Sequence, residues 1–219
     1  MHSHPRGWWL AILALLGTSL AAPVLPLPAS SSCPPQGTGP TARSRALNRL
    51  KNRDSAPILN QIDHAITLGA IVAPGQDKSR FTSQQGAIAE GYVDTVYVGG
   101  VESANCEAKN PAGRDTHIEI SLDPQHSRPD QRVIVEVTPR WRSKMHAQGK
   151  DWSTAALQGA LTRHRIRVTG WMMFDYDHAA ESRNSAQAGK TIWRATAWEI
   201  HPVTDLEVIA APVAGDASR

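Results

Sequence analysis

The sequence predicts a mainly β chain: a five-stranded barrel with one helix between its third and fourth strands, and short helices ahead of the first. Three observations lead there. Residues 116–122 and 132–138 alternate strictly, as strands with one inner and one outer face do. Turn chemistry separates five β-rich runs. One alanine- and leucine-rich stretch, preceded by a serine cap, interrupts the series.

Residues 42–51 (ARSRALNRLK) suit a short helix. In 58–68 (ILNQIDHAITL), Ile58, Leu59, Ile62, Ile66 and Leu68 mix helical and irregular spacing. Pro74-Gly75-Gln76-Asp77 is a turn signal, and 77–90 reads as polar loop or weak helix. Residues 43–90 are therefore expected to be a helical and loop extension on a barrel domain spanning 91–209. The first strand is expected at 91–99 (GYVDTVYVG), followed by a polar loop over 101–114.

In 116–122 (THIEISL), Thr116, Ile118, Ile120 and Leu122 share one face, and His117, Glu119 and Ser121 the other. In 132–138 (RVIVEVT), Val133, Val135 and Val137 oppose Arg132, Ile134, Glu136 and Thr138; Pro139 then stops the ladder. Residues 141–151 read as a basic, irregular connection. Ser153 caps the predicted helix over 154–163. The fourth strand, 165–175 (RIRVTGWMMFD), turns Ile166, Val168, Gly170, Met172 and Phe174 inward. After a polar loop at 176–190, residues 191–208 (TIWRATAWEIHPVTDLEV) close the sheet. Neither face of this last run is cleanly apolar, so a bulge is expected within it. The order β-β-β-α-β-β is that of the OB-fold, a five-stranded Greek-key barrel.

The chain has 219 residues, 41% of them hydrophobic, with a net charge of +3. That length supports one medium domain with extensions. A short basic start, the apolar run WWLAILALL and the small residues Ser19-Leu20-Ala21-Ala22 have the layout of a secretory signal peptide over 1–22. The same run retained as an anchor is the alternative. Residues 23–42, rich in Pro, Ser and Gly, read as a disordered linker, and 210–219 as a disordered tail. With the signal removed, no span that could cross a membrane is expected. The address is then exported, periplasmic or secreted. In that oxidising setting Cys33 and Cys106 can form a disulfide; two separate thiols are the alternative.

Chemistry is sought on the outward faces. OB-folds bind across the outside of strands two and three, which nominates His117, Glu119, Glu136, Arg140 and Trp171 as ligand-binding residues. A solvated surface with weak charge pairs is the plain alternative. Glu199 and His201, two apart on a strand, share a face. With His117, Glu119 and the adjacent Asp115 they are ligand types for a divalent metal, the one cofactor this chain suggests. A second such cluster is Asp175-Tyr176-Asp177-His178. His201 beside Glu199 reads equally well as a structural histidine–carboxylate pair. There is no Gly-x-Ser-x-Gly elbow, no phosphate-cradling glycine loop and no Cys-x-x-Cys pair. The basic runs PRWRSKMH and RHRIR are set against a low net charge and an exported address, which makes nucleic acid a poor partner.

The phrases GYVDTVYVGGVESANC, DTHIEI, RVIVEVTPRWR, RVTGWMMFD and WEIHPVTDLEV resemble exported bacterial OB-fold-like proteins of unassigned function that end in a Glu-Ile-His-Pro strand. The resemblance spans about 91–208 and implies fold and export, but no catalytic assignment. A remoter likeness, to thermonuclease-type OB-folds, is carried by Thr138-Pro139. The aspartate those enzymes place before the threonine is here Val137, which puts nuclease chemistry in doubt. The expectation is an exported, non-catalytic OB-fold-like binding module of the cell envelope, with an unidentified ligand or envelope protein as partner. The alternative is a metal-dependent hydrolase, phosphodiesterase-like, using His117, Glu119, Glu136 and His201.

Overall fold

The computed structural model describes residues 33–125 and 128–209. The signal peptide expected at 1–22, the first part of the expected linker and the tail at 210–219 lie outside the described residues. Five strands close a barrel in the order β1-β2-β3-β5-β4. They are β1 (Gly86–Val98), β2 (Thr116–Ser121), β3 (Val133–Val137), β4 (Arg165–Phe174) and β5 (Trp198–Ile209). β3 and β5 run parallel; every other neighbouring pair is antiparallel. This is the OB-fold-like barrel the alternation predicted.

The alternating residues fill the interior. Ile118, Ile120, Val133, Val135, Val137, Ile166, Val168, Met172 and Ile200 are all fully buried. Each such side chain contributes roughly 1.5–3 kcal/mol by leaving water. Truncating one, as in Ile118→Ala, removes that and leaves a cavity, at a cost of roughly 2–5 kcal/mol.

Among the described residues, four α-helices lie around the barrel: α1 (Ala42–Lys51), α2 (Leu68–Val72), α3 (Pro139–Ala147) and α4 (Thr154–Leu161). α4 is the helix predicted from the Ser153 cap. α3 corrects the reading of 141–151 as irregular. Thr138 Oγ1 accepts a hydrogen bond from the Trp141 amide at 3.3 Å. Pro139 occupies the first turn, where its fixed φ and missing N–H do no harm. The Thr-Pro pair that ends β3 therefore also starts a helix.

Two strand limits differ from the expected ones. β1 begins at Gly86 rather than Gly91, and its first half pairs with β4. Small residues suit this stretch because a Cβ at Gly86 would lie 2.5 Å from Pro57. β5 begins at Trp198, not at 191. The Thr196 hydroxyl and the Ala197 amide donate to the carboxylate of buried Asp77, at 2.9 Å each, instead of joining a strand ladder. The expected bulge is present: the β4–β5 register shifts on both sides of Gly170. A Cβ there would lie 2.4 Å from the Pro202 carbonyl oxygen, so β5 passes too close for a side chain.

Cys33 and Cys106 are joined in a disulfide. It fastens the chain before α1 to the loop between β1 and β2, helped by a hydrogen bond from the Thr38 amide to the Ser103 carbonyl at 2.9 Å. The described residues within the expected linker thus lie against the domain. No helix among the described residues is long and apolar enough to cross a membrane.

Candidate functional site

The strand registers assemble the site. His117 on β2 sits directly opposite Glu136 on β3. Val135 pairs with Ile200 across the parallel β3–β5 contact, and both face inward. Their neighbours Glu136, Glu199 and His201 therefore meet on the outside. His117 Nδ1 lies 2.8 Å from Glu136 Oε1. His201 Nδ1 lies 3.2 Å from Glu136 Oε2 and 3.3 Å from Glu199 Oε2. Its Nε2 faces Asp115 Oδ2 at 3.7 Å, at the entrance to β2.

This outer face is not solvated. His117, Glu119, Glu136, Glu199 and His201 are all buried. The segment between β4 and β5 folds over them as a roof. It is anchored at Asp175, whose Oδ2 meets His178 Nδ1 at 2.7 Å and Arg194 Nη1 at 3.4 Å. Arg194 is fully buried and reaches Glu199 Oε1 with Nη2 at 2.8 Å. Trp193 lies between His117 and His178, with ring centroids 6.0 and 5.6 Å away. Asp77 pins the roof through Ser185, Thr196 and Ala197.

The roof leaves a cleft of about 360 Å³ over the face. Its walls carry Tyr97, His117, Glu136, Trp193 and Arg194, and its rim carries the ion pair Lys51–Glu102 at 2.5 Å. Tyr97 stacks on His117 with centroids 4.5 Å apart and donates its hydroxyl to Glu119. A hollow of about 490 Å³ beside α4 is larger, but its one charged group, Arg142, is already bound to Thr116 and to the Ala112, Arg114 and Val137 carbonyls.

Burial and charge pairing shift the protonation of this layer. Burial works against a charged His201, yet Glu136, the hydrogen bond to Glu199 and Asp115 outweigh it and raise its pKa to about 9. Burial likewise opposes a charged Glu136, but His201 and the His117 hydrogen bond hold it down to about 2. Asp115 is the opposite case: burial, with Glu136 and Glu102 nearby, pushes it up to about 7 against the pull of His201. Asp175, despite its burial, is held below the usual carboxylate range by the His178 hydrogen bond, Lys51 and Arg194. His178 is raised in return by its bond to Asp175. Burial disfavours charge on Lys51, but Glu102 above all keeps it protonated.

Of the nominated residues, the fold brings His117, Glu136, Glu199 and His201 together, with Asp115 beside them. Glu119 stands apart, bound to Arg132 at 2.7 Å and to Tyr97. Arg140 and Trp171 do not reach the cleft. Arg140 bonds Asn52 and the Cys33 carbonyl, and Trp171 donates to the Ser55 carbonyl under the Arg53 guanidinium. Both hold the N-terminal extension on the barrel. The cluster at 175–178 joins the same face through Asp175 and His178. Sequence reasoning missed Lys51, Tyr97, Glu102, Trp193 and Arg194. One signal existed for Arg194: a lone charge within the mostly apolar run IWRATAW, which a buried partner would explain.

No protein-family model, curated protein or solved structure matches the chain significantly.

Proposed function

We propose that this protein is an exported binding module that holds a small polar ligand in the roofed cleft. One observation carries the reading: a concave site of about 360 Å³ lies over the strand two and three face, walled by Tyr97 and Trp193 and floored by an ion-paired layer. That volume falls in the range of small-molecule sites, which are concave and largely pre-formed. A floor of mutually paired charges is rigid, so little ordering remains to be done when a ligand enters. Lys51 and Arg194 offer donors, Glu102 and Glu136 offer acceptors, and the two aromatic rings offer flat stacking faces. The Cys33–Cys106 disulfide supports the exported placement, since such bonds persist in oxidising compartments.

A thermal-shift and calorimetric screen of monosaccharides, amino acids and small dicarboxylates tests this. A stabilising compound should lose its effect in Trp193→Ala and keep it in Glu207→Gln, which lies outside the cleft. Binding indifferent to Trp193→Ala would count against the site. A second reading, a metal-dependent hydrolase at the same face, is favoured by the convergence of Asp115, Glu136 and His201. Turnover of bis-p-nitrophenyl phosphate by metal-loaded protein separates the two.

A further inference from the structure

Beneath the cleft floor, the buried acids are not treated alike. Asp175 and Glu199 pair with Arg194, Glu102 with Lys51, and Glu119 with Arg132. Among the described residues, Asp115 and Glu136 have no lysine or arginine ion pair. Their charged contacts are histidines: His201 for both, and His117 for Glu136. Asp115, Glu136 and His201 are 2%, 5% and 0% exposed. Both Asp115 oxygens, Glu136 Oε2 and His201 Nε2 are buried without a hydrogen-bond partner. Leaving such an atom unsatisfied forfeits its hydration with nothing in return, most severely for a charged group, so native proteins rarely do it without a reason.

One ligand atom from each of the three lies within 4.8 Å of the others. Metal–ligand distances near 2.0–2.2 Å place donors about 3–4 Å apart around an ion, within reach of small side-chain rotations. The remaining polar atoms are already oriented. His201 Nδ1 bonds Glu199 Oε2 at 3.3 Å, which leaves Nε2 facing Asp115. His117 Nδ1 holds Glu136 Oε1 at 2.8 Å, while Oε2 lies 3.2 Å from His201 Nδ1 in an ion pair without a hydrogen bond. A ring nitrogen fixed by a carboxylate so that the other points at an ion is the usual outer support of a metal centre.

We propose that Asp115, Glu136 and His201 bind one divalent transition-metal ion of the zinc type beneath the cleft floor. One imidazole with two carboxylates suits zinc, iron(II) or manganese; the absence of thiolate disfavours copper(I). The buried cluster suffices for this site, whether or not a ligand enters the cleft.

The test is calorimetric titration of EDTA-stripped, purified protein with zinc chloride, and with cobalt(II) as a visible probe. One ion should bind per chain. Its uptake should release protons and tighten with rising pH, because His201 and Asp115 must give up protons to bind it. Cobalt should show d–d bands of nitrogen and oxygen ligation. Asp115→Asn and His201→Gln should abolish binding, Glu199→Gln should weaken it about 10–100-fold, and Glu90→Gln should leave it unchanged. If the ligand variants fail to fold by circular dichroism, Glu199→Gln and the wild-type cobalt spectrum decide. Folded, stripped protein that takes up neither ion overturns the proposal. So does uptake unchanged in folded Asp115→Asn, or, where that variant does not fold, uptake unchanged in Glu199→Gln.

Discussion

Two outer faces of this barrel carry the same kinds of residue and meet opposite fates. On β1, β4 and β5, Glu90, Arg167 and Glu207 lie directly across from one another. They pair at 2.7 and 2.9 Å, with side chains 31%, 43% and 58% exposed. On β2, β3 and β5, His117 and Glu136 lie directly across from one another, Glu199 and His201 stand two apart on one strand, and all four are outward positions that are buried. Pairing and spacing do not separate the two. The difference is the chain that passes overhead: 175–197 covers the second face and leaves the first in water. Charge on a strand's outer face therefore says little about its environment until the long connections are placed.

The largest contrast should come from breaking the roofed face at its centre. Arg194→Met leaves Asp175 and Glu199 buried without their cation and should cost about 3–5 kcal/mol in urea unfolding. A loss no greater than a surface substitution, about 0.5 kcal/mol, would mean the roof does not hold these charges dry. Next, the Cys33→Ser, Cys106→Ser pair opens the bond that fastens the wall of the cleft, across a separation of 73 residues. The expected loss is about 2–4 kcal/mol, read as a lower urea midpoint under non-reducing conditions.

A smaller effect should appear with pH. The folded pKa of His178 is raised above its ordinary 6.5. Its bond to Asp175 therefore stabilises fully below that value, and the stabilisation is lost as pH rises through the raised one. Asp175, lowered from 3.8, acts at the other end: its contribution is present above 3.8 and fades as pH falls through the depressed value. Protection factors across 179–197, which divide out base-catalysed intrinsic exchange, should fall on the alkaline side in wild-type protein, and His178→Gln should flatten that fall. His201 titrates in the same direction, so the difference between the two proteins is the informative quantity. Smallest of all, Glu207→Gln on the solvated face should leave the urea midpoint unchanged within error, since exposed pairs are screened and dynamic. A clear drop there would erase the contrast between the faces.

The barrel was legible because its signal is local. Alternation in 116–122 and 132–138 placed Ile118, Ile120, Val133, Val135 and Val137 inside, and the expected bulge on the last strand is present. α3 was missed because Thr138-Pro139 signals both the end of a strand and the start of a helix, and which dominates depends on how residues 141–147 pack. The site was legible in part. His117, Glu136, Glu199 and His201 were named from strand faces, but Arg140 and Trp171 were drawn in by residue type and turned out to hold the N-terminal extension. Lys51 and Glu102 carried no local mark of a partner, since one ends a predicted helix and the other lies in a polar loop; Arg194 had only its charge among apolar neighbours.

By itself, then, the sequence determined the strands, their inward faces and the residues that alternation turns outward, since a two-residue period is a property of neighbouring positions. Only the tertiary structure decided that one outward face would be roofed and the other left in water. It also decided that Asp115, Glu136 and His201 would converge, because convergence depends on the register of β3 against β5 and on a connection that Asp77 pins from 119 and 120 positions away.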